Sequence, residues 1–192
     1  MFIPPTPSFN RWSEVANYLT HIFYIPKKLV QSLQQQGLIY ANCEGDAVFL
    51  TRNLLPKVTG AYLHKLHDAA DCFNLYPDSN PTSGWFYLSM GGKQSHNFKA
   101  AVLVSSPIEA LSLAVLNVPH SSRTLYLNVD SDCTNLPVEF LQNIPNVVIA
   151  TPREVGEVIK HALPEATLMS PKWSWNFQLR KLEGGHNYKS LE

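Results

Sequence analysis

Cysteine is scarce in this chain. Cys43, Cys72 and Cys133 are the only three in 192 residues, odd in number and far apart. That speaks against a disulfide framework and for reduced thiols in a cytoplasmic setting, and without a C-x-x-C pair no zinc module is expected. Long apolar runs are missing as well. The longest, "AAVLV" and "NVVIA", fall far below the roughly 20 residues that cross a bilayer, and the start "MFIPPTPSFN" has neither the basic region nor the apolar helix of an export signal. Neither a membrane role nor export is expected. Net charge is the third absence: 15 basic side chains balance 15 acidic ones, so the chain lacks the overall basic field of a dedicated nucleic-acid binder.

What the chain does have is a hydrophobic content of 45%, enough to fill a real core in one domain or two small ones. Its charge is unevenly placed. Residues 1–60 carry five basic groups against three acidic, residues 99–166 four against seven, and residues 167–192 four against two. The Gly/Ser/Lys-rich "SMGGKQSHN" at 89–97 divides a mixed first part from a regular second one. The expected organisation is a tail over 1–11, a small α+β domain over 12–92, an α/β domain over 97–183 and a tail over 184–192.

In the first part, Ser13 offers a helix cap, and a second helix opens at Pro26 and ends at Gly37. "AVFLTRN" and "VTGAYLH" read as paired strands, and the turn-rich "DCFNLYPDSNPTSG" leads into an aromatic strand, "WFYLSM". After the seam, apolar strands and helical patterns alternate: "KAAVLVS", "PIEALSLAVLN", "RTLYLNV", "LPVEFLQNI", "NVVIAT", "PREVGEVIKHAL", and a last element near "TLMSPKW". That alternation predicts a mostly parallel sheet with helices on both faces. Such sheets collect ligands at the carboxyl ends of their strands, where Ser105, Ser106, Asp130 and Asp132 fall.

These residues carry a resemblance. "VLVSSPIEALSLAVLN" followed by "LYLNVDSD" resembles the Toprim domain of primases and topoisomerases, in which the first strand ends in a glutamate and a later one in Asp-x-Asp. The upstream "YLTHIFYIPKKLVQSLQQQGLIYA", "GDAVFL", "VTGAYL" and "GWFYLSMGG" are similar to the uncharacterised domain that precedes Toprim in primase-like proteins of plasmids and other mobile elements. Together the two cover about residues 12–182. The resemblance implies a Rossmann-like sheet and a magnesium-dependent site for phosphodiester or nucleotidyl transfer, with a glutamate that shuttles a proton and aspartates that hold the metal. Oxygen ligands suit magnesium, which neutralises charge developing on a phosphoryl group.

The chain departs from that pattern where the chemistry is decided. The glutamate position is Ser105 and the glycine that often follows is Ser106. A serine hydroxyl, with its far higher pKa, brings no negative charge to a metal. Near the end, where the resembled proteins read close to Lys-Asp-Trp-Asn-Glu-Asp-Leu, Trp175, Asn176 and Leu179 match, but Ser174, Phe177 and Gln178 replace three acids. In "GAYLHKL", Tyr62 and His64 replace a charged pair. Charge lost at several separate places points to a site no longer held to catalysis.

The residues left to bind anything are few. Asp130 and Asp132 are candidate magnesium ligands and also read as a cap or an Asx turn; Glu109 is a further candidate and also suits the first turn of a helix. His64, His67, Asp68, Asp71 and Cys72 have the spacing of a metal set on a helix, but a strand end and loop are expected there, hence a solvated polar stretch. Lys27, Lys28, Lys172, Arg180 and Lys181 are the candidate nucleic-acid contacts, and Trp173 with Trp175 reads as core packing rather than base stacking. Two readings stay open. One is a catalytically inactive Toprim-like protein, retained as a binding or structural module with weak DNA affinity or a protein partner, or a decaying remnant of a mobile-element primase or relaxase. The other is a magnesium enzyme on nucleic acid that uses Asp130 and Asp132 with an acid such as Glu109.

Overall fold

The computed structural model describes residues 2–66, 73–80, 82, 84–93, 95–130 and 136–188, with the side chains of 185–188 left aside. Contacts divide the chain into two compact units, Met1–Phe86 and Tyr87–Glu192.

In the first unit, helices α1 (Trp12–His21) and α2 (Lys27–Gln35) precede a four-stranded antiparallel sheet of β1 (Ile39–Ala41), β2 (Ala47–Arg52), β3 (Val58–His64) and β4 (Phe73–Leu75) in that order. Each helix buries one stripe: Val15 and Leu19 four residues apart on α1, Val30 and Leu33 three apart on α2. Ser13 lies inside α1; Arg11 holds the cap position, without a side-chain cap bond. Gly37 ends α2 with φ +68°, the left-handed turn that lets Leu38 N–H reach Leu33 O (2.9 Å) and its own N–H reach Gln34 O (2.9 Å).

His64 ends β3 fully buried, so it is no part of a solvated stretch. Its ring stacks on Phe73 (4.9 Å between centroids) and touches Tyr18 and Phe23. Tyr62 is buried on the same strand. The two positions that read as replacements of a charged pair are thus apolar core, which an ionised pair enters only at a large desolvation penalty. His67, Asp68, Asp71 and Cys72 lie outside the described residues.

The second unit is a five-stranded sheet of order β5-β7-β6-β8-β9: β5 (Tyr87–Met90), β6 (Ala100–Val104), β7 (Thr124–Asn128), β8 (Asn146–Ile149) and β9 (Thr167–Leu168). All neighbours are parallel except β5, which runs antiparallel to β7 along Tyr87↔Leu127 to Met90↔Thr124. The strand in "WFYLSM", expected to close the first part, therefore belongs to the second sheet, and the division falls at Phe86/Tyr87 rather than within 89–97.

Helix α3 (Pro107–Leu116) links β6 to β7, α4 (Val138–Gln142) links β7 to β8, and α5 (Arg153–Ala162) links β8 to β9. The first link runs one way along the sheet and the other two run back, so right-handed crossovers put α3 on one face and α4 and α5 on the other. Consecutive burial of Ala101–Val104 and of Leu125–Val129 agrees with strands covered on both sides. α3 is buried almost all round, including Pro107, Ile108 and every residue from Ala110 to Ala114. Its outer side is covered by a last helix, α6 (Trp175–Tyr188), in a stretch where the sequence suggested only an element near "TLMSPKW".

At the far end of α3, Asn117 Nδ2 donates to the buried Tyr126 hydroxyl at 3.1 Å, and His120 Nε2 lies 3.1 Å from the same oxygen. A neutral His120 takes the hydroxyl hydrogen; a protonated one would leave Tyr126 facing two donors. Burial lowers the His120 pKa from 6.5 and raises that of Tyr126. Folded His120 therefore binds its proton less tightly than the unfolded chain does, and its contribution to stability is complete above 6.5 and falls as pH drops through the window just below. The urea midpoint is expected to rise between about pH 5 and about pH 7, and His120→Gln to flatten part of that rise; equal slopes in the two proteins would rule the arrangement out.

Candidate functional site

The carboxyl ends of β6 and β7 lie side by side. Val104 pairs with Asn128, and Val129 N–H donates to Val104 O at 2.8 Å. Ser105 and Asp130, the residues just past these pairs, thus share one edge, at the point where the two connections leave for opposite faces. Ser105 is exposed and Asp130 half-buried. Asp132 lies outside the described residues.

Ser106 is extended at φ −156° and caps α3: its Oγ accepts the Glu109 N–H at 3.2 Å, with Pro107 filling the first helical position. In sequence, Ser106-Pro-Ile-Glu109 reads as a capping box whose glutamate would return to the cap. Glu109 instead reaches α6. Its Oε2 accepts the Trp175 N–H at 2.8 Å and its Oε1 the Asn176 N–H at 3.2 Å, while the Ser174 hydroxyl also bonds to it. Ser174 Oγ accepts the Phe177 N–H at 3.0 Å. Three of the four amides that a helix start leaves unpaired are thereby satisfied, two of them by a carboxylate well placed for the positive end of the helix dipole. Burial of the Glu109 carboxyl raises its pKa above 4.5, against the lowering effect of these hydrogen bonds.

The matched pair Trp175 and Asn176 fastens the same helix. Trp175 Nε1 donates to Ala150 O just past β8 (2.7 Å), and Asn176 Nδ2 donates to Ser112 Oγ on α3 (2.9 Å), both buried. Ser174, which read as a lost acid, is a cap, a role that serine and aspartate fill equally well. An aspartate there would face the Glu109 carboxylate. Trp173 does not share the packing of Trp175: it is 71% exposed, beside Phe177, which is 50% exposed, with 6.2 Å between ring centroids.

Asn128 is a polar residue the sequence reading passed over. It is 2% exposed at the end of β7, and its Oδ1 has no hydrogen-bond partner among the described residues. The signal was a lone amide in the apolar run "LYLNV".

The described residues at this edge do not by themselves make a donor set for a magnesium ion. Asp130 offers a carboxylate, Ser105 a neutral hydroxyl, Asn128 a single amide oxygen, and both Glu109 oxygens are held by α6. Among the described residues no three His, Cys, Asp or Glu side chains are grouped to hold a metal. A cleft of about 260 Å³ lies elsewhere, lined by Leu141, Ile144, Pro145, Leu163 and Ala166 near the amino ends of β8 and β9.

Of the basic candidates, Lys27 and Lys28 are exposed at the start of α2 in the first unit. Lys172, Arg180 and Lys181 are exposed in the second, before and along α6. No helix among the described residues is long and apolar enough to cross a membrane.

No family model and no curated protein matches the chain. Solved structures do. The primase fragment of the bacteriophage T7 primase-helicase is similar over 84% of this chain and 68% of its own, at 15% identity and a TM-score of 0.56. The structure of the bacteriophage T7 lagging-strand DNA polymerase interacting with primase domains bound to an RNA/DNA hybrid contains a chain matched over 84% of this one and 83% of its own, at 14% identity and a TM-score of 0.51. The RNA polymerase domain of Mycobacterium tuberculosis primase, solved with a double-stranded DNA oligomer carrying an overhang, is similar over 95% of this chain and 79% of its own, at 11% identity and a TM-score of 0.51. At these identities the likeness establishes the fold alone, the one shared with these primase domains.

Proposed function

We propose that this chain is a primase-fold protein that has lost the Toprim chemistry and is retained as a nucleic-acid-associated binding or structural module, of the kind related to mobile-element primases and relaxases. The observation that carries this reading is Ser105, exposed just past β6 where a Toprim domain has its glutamate. The nearest substitute, Glu109, is committed to α6 through both oxygens. A serine at neutral pH has no charge for a metal, and its hydroxyl proton is held too tightly for general acid/base exchange with a leaving group. Any DNA affinity rests on exposed cations such as Lys27, Lys28, Lys172, Arg180 and Lys181, is weak for a chain of zero net charge, and falls steeply with salt.

The test is direct. With magnesium, template and nucleotides the purified chain is expected to show no primer synthesis, cleavage or strand transfer above background. Ser105→Glu is expected to tighten magnesium binding about tenfold in calorimetry, by adding a carboxylate at the edge that holds Asp130, without restoring turnover. Metal-dependent activity that disappears in Asp130→Ala would establish the working enzyme instead. Unchanged magnesium affinity in Ser105→Glu would mean that "NVDSD" is a turn.

A further inference from the structure

The exposed ring pair at the start of α6 has no structural task. Trp173 and Phe177 contribute nothing to the packing that Trp175, Asn176 and Leu179 provide, yet they are the two largest apolar side chains exposed in this segment. Their ring centroids lie 6.2 Å apart with planes inclined by 53°, and at least half of each side chain is exposed. Two exposed aromatic residues held together are unusual on a surface that would otherwise be polar.

Their neighbours are cations. Lys172 precedes Trp173 in the chain, and Arg180 and Lys181 stand three and four residues after Phe177, on its side of the helix. Glu183, six residues on from Phe177, projects from a different side. The Glu109 carboxylate, the closest acid to the helix start, is turned inward onto the amides of Trp175 and Asn176. The patch also sits at the edge of the sheet that holds Ser105, because Trp175 reaches Ala150 past β8 and Glu109 lies in the first turn after Ser106.

We infer that Trp173 and Phe177 form a stacking platform for the bases of a single-stranded nucleic acid, with Lys172, Arg180 and Lys181 on its phosphates. Aromatic faces accept any base, and flanking cations meet a backbone of regular negative charge. This combination serves single strands, whose bases are unstacked and free, and does not serve duplexes, whose bases are covered. An acidic peptide would use the cations but leave both ring faces without a partner. The inference rests on the nucleic-acid reading above and deepens it, but it is independent of whether Ser105 has ended catalysis.

The test is fluorescence anisotropy of a labelled oligothymidylate with the full chain at low salt, beside a duplex of the same length. The unmodified protein is expected to prefer the single strand. Trp173→Ala and Phe177→Ala are each expected to weaken it about fivefold or more, Trp173→Phe to retain most of the affinity, and Arg180→Ala with Lys181→Ala to reduce the salt slope by roughly one per cation. Circular dichroism of the variants should be unchanged, since neither side chain belongs to the buried core. Single-strand binding that survives both ring substitutions would overturn the platform while leaving a nucleic-acid role intact. So would equal affinity for the duplex. Absence of any binding by the unmodified chain would overturn both, whatever Ser105→Glu does to magnesium affinity.

Discussion

Glu109→Ala is expected to lower the stability of the second unit by about 2–3 kcal/mol. The side chain is far from α6 in sequence, yet its two oxygens hold the Trp175 and Asn176 amides. Alanine leaves both without an acceptor in a half-buried place, and an unpaired buried donor carries a desolvation penalty of about 1–3 kcal/mol that nothing offsets. Glu109→Gln should cost less, about 1–2 kcal/mol, because one oxygen remains to accept while the amide nitrogen faces the second N–H donor to donor. The pH dependence separates charge from shape. Since burial raises the folded pKa of Glu109 above 4.5, the folded chain holds that proton more tightly than the unfolded one. Its contribution is therefore full below 4.5 and declines as pH rises through the folded value. Glu109→Gln abolishes that decline. Hydrogen exchange at the amides of Trp175 and Asn176 should accelerate in the alanine variant; unaltered exchange and stability would free Glu109 for another role, metal binding included.

Trp175→Ala carries the largest expected effect, about 3–5 kcal/mol, as for other large aromatic residues removed from a core. It opens a cavity at the end of the sheet and strips the Ala150 carbonyl of its donor, the 2.7 Å bond from Nε1. Trp175→Phe keeps most of the apolar volume and loses that bond, so about 1–2 kcal/mol is expected. Urea unfolding checks both. Trp173→Ala, two residues away, supplies the contrast: an exposed side chain should change the midpoint by no more than about 0.5 kcal/mol. Comparable losses at 173 and 175 would mean that the exposed ring is packed after all.

The strands around the site were legible because each carries its own signal. The apolar runs of β6, β7 and β8 end at fixed places, so Ser105 and Asp130 could be put at one edge before any contact was known. What pairs with a strand is a different matter. Nothing within "WFYLSM" states that Tyr87–Met90 lies against β7 rather than in the first sheet, because a strand's partner is chosen by distant residues. α6 was passed over since, among its described side chains, the buried set of Trp175, Asn176 and Leu179 lies in the first turns, and the exposed run from Arg180 to Glu183 gives no apolar period. The partner of Glu109 was equally invisible: a first-turn acid suits its own helix, and the hydrogen bonds go 66 and 67 residues along the chain. Ser174 and Tyr62 show the converse. Both read as chemistry lost, and both have structural work, one as a helix cap and one in a core.

The burial of α3 on all sides bears on how the second unit is made. A nascent chain produces α3 and its sheet before α6, so an all-round apolar helix waits with one side bare until Trp175, Asn176 and Leu179 arrive. Closure of so long a loop is slow compared with local helix formation, and exposed apolar surface during that interval is where self-association begins. α6 is thus the keystone of biogenesis as well as of the finished edge. A fragment that ends before residue 173 would keep every strand of the sheet and still present α3 to solvent or to chaperones.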